Sequence, residues 1–166
     1  VYKRQVIYDK ITNELFMARD RIGIKPLYYS VNDNWILFGS EIKAIELSKL
    51  IEFEPDIDSY LAYLRHLCVP ADSTGNKNIK ELEPGQFIRI DKNGKISKKI
   101  YWDPFTFSVN HDLNEKNVVE ELDRLLNESV EYRKVSDVEV GLFLSGGLDS
   151  SPVSYTHLRA HETDYY

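Results

Sequence analysis

The sequence predicts an α+β domain followed by the opening of an α/β unit. Two observations carry this. Up to Trp102, short apolar runs alternate with Asn/Asp/Gly turn clusters and are interrupted by two helical patterns. Beyond Leu113, a long helical pattern, an apolar run and Ser145-Gly146-Gly147 follow one another directly, in the order helix, strand, glycine turn.

Taken in order, Gln5 to Ile11 and Leu15 to Arg19 flank the turn Thr12-Asn13-Glu14, and Ile24 to Val31 and Trp35 to Phe38 flank Asn32-Asp33-Asn34. These four runs read as a meander of strands. Ser40 is placed to cap a short helix with Ile42, Ile45 and Leu47 on its apolar side. Pro55-Asp56 starts a second helix whose apolar positions, Ile57, Leu61, Leu64 and at its end Leu67, recur at helical spacing, and Pro70 closes it. A polar loop spans Ala71 to Lys80. Pro84-Gly85 then turns the chain into a strand from Gln86 to Ile90, and Asn93-Gly94 is a strong hairpin signal leading to a return strand. Asp103 to Leu113 reads as a connection between domains. From Asn114 to Val135 a helix presents Val118, Leu122, Leu125, Leu126 and Val130 on one face, capped by Asn114, with the charges around Glu120 to Arg124 on its solvated side. Glu139 to Leu144 is the buried strand that feeds the glycine turn.

Composition narrows the function classes. A net charge of −6 with both signs interspersed shows no basic patch of the kind that binds nucleic acid. No apolar run approaches the roughly eighteen residues of a membrane span, and no apolar signal core opens the chain. The single cysteine, Cys68, excludes an intramolecular disulfide and fits a reducing, cytoplasmic setting.

The glycine turn is where chemistry is expected. Glycines let the backbone approach a pyrophosphate with no Cβ in the way, and the start of a helix favours negative charge. Ser145 and Ser150 add hydroxyl donors. Asp149 is wrong as a direct phosphate ligand, since like charges repel, but it suits a Mg²⁺ ion that bridges phosphates. The string is not a Walker motif, because no Lys-Ser/Thr follows the glycines.

The full string Ser-Gly-Gly-Leu-Asp-Ser-Ser after an apolar strand resembles the PP-loop of ATP pyrophosphatases. "ARDRIGIKPLYYS" and "LFGSEIKAIE" resemble the C-terminal half of a class II glutamine amidotransferase domain. "YLRHLCVP", "KELEPGQFIRI", "YWD" and "SDVEVGLFLSGGLDSS" continue in the order seen in glutamine-hydrolysing asparagine synthetases. The resemblance covers residues 6 to 151. It implies part of an Ntn-type αββα amidotransferase sandwich over 6–108, then the start of an adenine nucleotide α-hydrolase-like α/β PP-loop domain over 113–151. It also implies that ammonia released from glutamine attacks a β-aspartyl-AMP made from aspartate and ATP, giving asparagine, AMP and pyrophosphate. Leu144 would contact ATP through its backbone. Ser145, Gly146, Gly147 and Ser150 would cradle the pyrophosphate, and Asp149 would hold Mg²⁺. The substrates are then the small molecules glutamine, aspartate and ATP, with neither nucleic acid nor membrane as partner, and the full-length protein is a possible homodimer.

The family's glutaminase nucleophile, a cysteine at the mature N-terminus, is not in this sequence. Cys68 is internal, lies at a helix end, and is expected to be a buried or half-buried structural residue. Arg19, Asp20, Gly23, Lys25 and Pro26 are signature residues read as shaping the sheet and the domain contact, with Gly23 suited to a turn and Pro26 to a strand edge. Tyr28-Tyr29 reads as core plus strand edge. His157 and His161 have the spacing of paired zinc ligands but lack the general-base Glu between them. His66 with Cys68, and His111, lack further ligands. Residues 1–5 and 152–166 break the family pattern and resemble translated adaptor sequence, so they are expected to be non-native. The chain is therefore read as a fragment that is inactive by itself. The pocket for the acceptor carboxylate is expected downstream, which leaves a β-lactam synthetase-like enzyme, a peptide or sugar amidotransferase, or a non-catalytic remnant as alternatives.

Overall fold

The computed structural model describes residues 3–32, 34–70, 72–108, 114–138, 140–141, 146–148, 150–153 and 155. The chain forms two compact units, Val1–Phe107 and Ser108–Tyr166.

In the first unit β1 (Arg4–Asp9), β2 (Glu14–Arg19), β3 (Tyr28–Val31), β4 (Ile36–Gly39), β5 (Lys80–Glu81), β6 (Gln86–Ile90) and β7 (Ile96–Ile100) form two antiparallel sheets. Their strand orders are β1-β2-β6-β7 and β4-β3-β5. The expected β1–β2 and β3–β4 hairpins are present, with Val6 opposite Met17 and Tyr29 opposite Phe38. The continuous meander is not: β2 pairs with β6, and β3 starts at Tyr28, not at Ile24. The cause is local. The Asp20 carboxylate accepts the backbone N–H groups of Ile22 (3.3 Å), Ile24 (3.1 Å) and Lys25 (3.5 Å), donors that a strand would otherwise spend on its neighbour. The chain therefore loops from one sheet to the other. Asp9 shortens β1 in the same way, by accepting from Ile11 (2.8 Å) and Thr12 (3.3 Å). Asp91 closes the Asn93-Gly94 turn by accepting from Asn93 (2.8 Å) and Lys95 (2.9 Å), with Gly94 at φ +79°.

The core draws on both sheets. It is made of Met17, Leu27, Tyr29, Leu82, Ile88 and Ile90, with Val6, Leu15, Val31 and Ile36 packed at its margin. On β6 the buried residues Gln86, Ile88 and Ile90 alternate with Phe87 and Arg89, the period of a strand with one covered face. Each fully buried aliphatic side chain here contributes about 1.5–3 kcal/mol. Tyr29 is in this core, with the Lys98 ammonium 5.4 Å from its ring centre.

The helices correct several expectations. The cap of α1 (Ile42–Glu46) is Glu41, not Ser40, and it makes no side-chain capping bond. Asp56 caps α2 (Ile57–His66) as expected, accepting from Ser59 N (3.4 Å) and Ser59 Oγ (2.7 Å). Its apolar positions Ile57, Leu61, Leu64 and Leu67 are nevertheless all exposed, and the residue it buries is Ser59. The helical period is real; the packing it implies is not made among the described residues. Cys68, just beyond the left-handed Leu67 that ends α2, is exposed, which overturns its reading as a buried or half-buried residue.

In the second unit α3 (Glu115–Lys134) begins where Asn114 Oδ1 accepts from Asn117 N at 2.9 Å. Val130 is buried, while Val118, Leu122 and Leu125 are about half exposed. Arg124 joins Glu121 (2.7 Å) and Glu128 (2.9 Å) on the solvated face. Of the strand expected over 139–144, Glu139 and residues 142–144 lie outside the described residues, and Val140 and Gly141 carry no regular structure.

Candidate functional site

Two motif regions invite a functional reading, and their geometries differ. The first is the loop that follows β2. Arg19 is 8% exposed, and each nitrogen of its guanidinium bonds this loop or its neighbour. Nε donates to Lys25 O (3.1 Å), Nη2 to Gly23 O (3.0 Å) and Nη1 to Leu82 O (2.6 Å), while Nη1 also pairs with Glu81 Oε1 at 2.7 Å. Its backbone carbonyl accepts from Tyr101 Oη at 2.6 Å. Asp20 O accepts from Gly23 N (3.2 Å) and Gly85 N (2.9 Å). Burial, and then the Glu81 carboxylate, push the neighbouring Tyr28 phenol above its ordinary pKa. Four of the five guanidinium N–H donors are engaged with carbonyls or a carboxylate of the same unit, as suits a structural role. Arg19, Asp20, Gly23 and Lys25 thus meet as a structural hub, while Pro26 precedes β3 and is not part of it. The partner Glu81, far away in sequence, becomes visible only through the pairing of β3 with β5.

The second region is the glycine turn. Leu144, Ser145 and Asp149 lie outside the described residues, so three of the six expected ATP contacts have no geometry to report. Gly146, Gly147 and Ser150 are described. Gly146 adopts φ +72°, in the region that favours glycine, and among the described residues no atom lies within 4 Å of where a Cβ would stand. Residues 150–153 are helical. Pro152 falls within the first turn, where a missing N–H costs little. The Gly147 carbonyl accepts from Ser151 N (3.0 Å), Ser151 Oγ (2.8 Å) and Ser150 Oγ (3.3 Å). Ser151 was not among the expected contacts; the doubled serine in the string was the available signal. His111, His157 and His161 also lie outside the described residues. Among the described residues no three side chains of metal-ligand type gather, so His66 and Cys68 find no further ligand. No helix is long and apolar enough to cross a membrane among the described residues.

Two family models match successive parts of the chain. Residues 5–102 match the family model of the glutamine amidotransferase domain, and residues 121–164 match that of asparagine synthase. The chain belongs to the glutamine amidotransferase domain family. It is 38% identical over 150 residues to a Methanocaldococcus jannaschii protein that carries the name of a glutamine-hydrolysing asparagine synthetase, covering 89% of this chain and 29% of that protein. It is 36% identical over 146 residues to asparagine synthetase 1 of Bacillus subtilis, covering 88% of this chain and 23% of the relative. The amidase chry2 of Gibberella zeae is 34% identical over 154 residues, covering 90% and 22%. The resemblance to asparagine synthetases read from the motifs is borne out by these matches. The chain spans about a quarter of the length of these relatives.

Proposed function

We propose that the chain is part of a glutamine-hydrolysing asparagine synthetase, which makes asparagine from aspartate with nitrogen from glutamine and energy from ATP. The observation that carries this reading is the collinear order of the two family matches in one chain, amidotransferase first and asparagine synthase second. The chemistry explains the pairing. A carboxylate is a poor electrophile until its oxygen joins a good leaving group, so aspartate is activated as β-aspartyl-AMP before ammonia attacks. AMP, pyrophosphate and glutamate are the other products.

In this reading the first unit is the C-terminal part of an Ntn-type αββα sandwich, supported by its two antiparallel sheets facing across one core. The second unit begins a PP-loop domain. Leu144 meets ATP through its backbone, Ser145, Gly146, Gly147 and Ser150 hold the pyrophosphate, and Asp149 holds Mg²⁺, which neutralises phosphate charge. The open, left-handed Gly146 supports the fit. Ser150 fits conditionally, since its hydroxyl donates to Gly147 O and must turn to reach a phosphate. A cytoplasmic location and a homodimeric full-length protein belong to the same reading.

Aspartate-dependent formation of AMP and pyrophosphate by the full-length protein tests it, with glutamine or ammonium as nitrogen source. Asp149→Asn is expected to lower that rate by at least about a hundredfold, since it removes the metal's carboxylate. The 166-residue chain alone is expected to hydrolyse no glutamine, and Cys68→Ser to change nothing. ATP consumption that ignores aspartate but responds to another carboxylate would instead favour a related amide-forming enzyme.

A further inference from the structure

We propose that a cleft in the first unit, bordered by the edge strands β5 and β7, binds a small anion carrying a phosphate group. Lys80, Lys98 and the Tyr29 hydroxyl hold it. The cleft measures about 550 Å³, and all three residues line it. Strand register explains why they converge. Tyr29 on β3 stands directly opposite Lys80 on β5, which puts both side chains on one face of that sheet. Lys98 on β7 stands opposite the fully buried Ile88, so it lies on the inner face of the other sheet. Its ammonium is 5.4 Å from the centre of the Tyr29 ring, close enough for a cation–π contact.

The chemistry of the walls is one-sided. Tyr29 is 4% exposed, and its hydroxyl is buried with no hydrogen-bond partner among the described residues. Buried polar groups in folded proteins are nearly always paired, and a phenol O–H is completed by an acceptor. What surrounds it is cationic. Lys80 and Lys98 make no ion pair among the described residues, whereas Lys77, also on the wall, is joined to Glu54 at 2.7 Å. Glu52 is the one carboxylate of the wall among the described residues, and it is exposed and can face water. An anion rich in acceptor oxygens completes such a wall, and lysine binds phosphate as a point charge. Inward-pointing lysines on edge strands also keep sheets from pairing with one another. That role alone leaves the Tyr29 hydroxyl unexplained. In the bound state the exposed Lys98, on its flexible stem, turns from the ring to the ligand and opens the way to the hydroxyl.

The experiment is isothermal titration of the full-length protein with inorganic phosphate and, separately, with AMP. A non-hydrolysable MgATP analogue is kept in excess, so that a nucleotide site elsewhere does not contribute. Binding with a Kd below about 1 mM is expected. Tyr29→Phe should weaken it about tenfold, the worth of a hydrogen bond to a charged group. The melting temperature of the unliganded protein should not fall, because the hydroxyl has no partner to lose. Lys80→Gln and Lys98→Gln should each weaken binding by about tenfold as well. Binding of phosphate identifies a free anion as ligand, and binding of AMP alone identifies a phosphomonoester; either, weakened by Tyr29→Phe, supports the site. Binding of neither, or binding that Tyr29→Phe leaves unchanged, overturns it and reduces the lysines to guards of the sheet edges. A Tyr29→Phe melt several degrees below wild type also overturns it, since the hydroxyl would then be partnered within the protein.

Discussion

The hub around Arg19 and the turn around Gly147 are both dense in signature residues, yet they dispose of their polar groups in opposite ways. At the hub, every nitrogen of a buried guanidinium donates to a carbonyl or carboxylate of the same unit. At the glycine turn, Gly146, Gly147 and Leu148 are exposed, and no atom of the described residues stands beside Gly146. A motif whose polar groups are consumed internally carries fold; one whose backbone is turned outward is available for ligand. The first string already reads in the sequence as shaping the sheet and the second as the place for chemistry, and the burial of Arg19 agrees with the first of these.

The largest effect that would break this comparison is at Arg19. Arg19→Ala strands a carboxylate and three carbonyls, and loss of one partner of a buried pair costs about 3–5 kcal/mol. For a unit of this size the melting temperature should fall by at least about 12 °C. Arg19→Lys keeps a charge near Glu81 but not the planar fork, and should recover only part of the loss. A melt of Arg19→Ala within a few degrees of wild type, followed by circular dichroism, would mean that the hub does not hold the fold.

Glycine substitutions sharpen the contrast at smaller scale. Gly85 sits at φ +65°, and a Cβ there would run into the Trp102 carbonyl oxygen. Gly23, at φ +63°, would place one 2.7 Å from Pro84 Cγ. Gly146 shares the left-handed conformation, and among the described residues a Cβ there meets nothing within 4 Å. Alanine at any of the three pays about 1–2 kcal/mol for the left-handed conformation. At Gly85 a clash with backbone is added, so Gly85→Ala should cost at least about twice that. Gly146→Ala should leave the melt of the first unit unchanged and weaken MgATP binding by the full-length protein. Equal melts for Gly85→Ala and Gly146→Ala would dissolve the distinction between close packing and open approach.

Much of this was legible in the sequence where the signal is local. The Asn93-Gly94 turn, the Asp56 and Asn114 caps, and the alternation on β6 depend on residues within a few positions of one another, and the structure contains them. Long-range choices were not. Nothing near Leu15 to Arg19 says that β2 pairs with β6 and not with β3; that follows from Asp20 diverting the chain. Nor does the helical period of α2 tell which surface covers Ile57, Leu61 and Leu64. Cys68 misled for the same reason, since a cysteine at a helix end is buried only if something packs over that end. At the glycine turn the motif named the residues, whereas the sharing of Gly147 O between Ser150 and Ser151 needed coordinates.

The smallest effect concerns how each unit holds its carboxylates. Asp91 is kept below the ordinary aspartate range first by the Lys95 N–H and then by the Asn93 N–H; Asp9 chiefly by the Ile11 N–H; Asp56 chiefly by Ser59. Glu121, in the second unit, is lowered first by its hydrogen bond to Arg124. A carboxylate whose folded pKa lies below its unfolded value, about 3.9 for Asp, adds stability above that unfolded value and loses it as pH falls through the lowered one. The first unit should therefore melt at a constant temperature from pH 7 to 5 and progressively lower below about pH 4. Asp91→Asn keeps an acceptor for both N–H groups but cannot titrate, so its deficit at pH 7 should close as the pH approaches 2. Salt then tells the two units apart. Backbone N–H groups at hydrogen-bond distance are not screened by mobile ions, whereas an exposed ion pair is. In NMR titrations, raising NaCl from about 0.05 to 1 M, which shortens the screening length to about 3 Å, should leave the Asp91 midpoint in place and move that of Glu121 up towards an ordinary glutamate. Movement of both midpoints together would mean that the turn carboxylates of the first unit are held by net charge, and not by the backbone geometry that sets its fold.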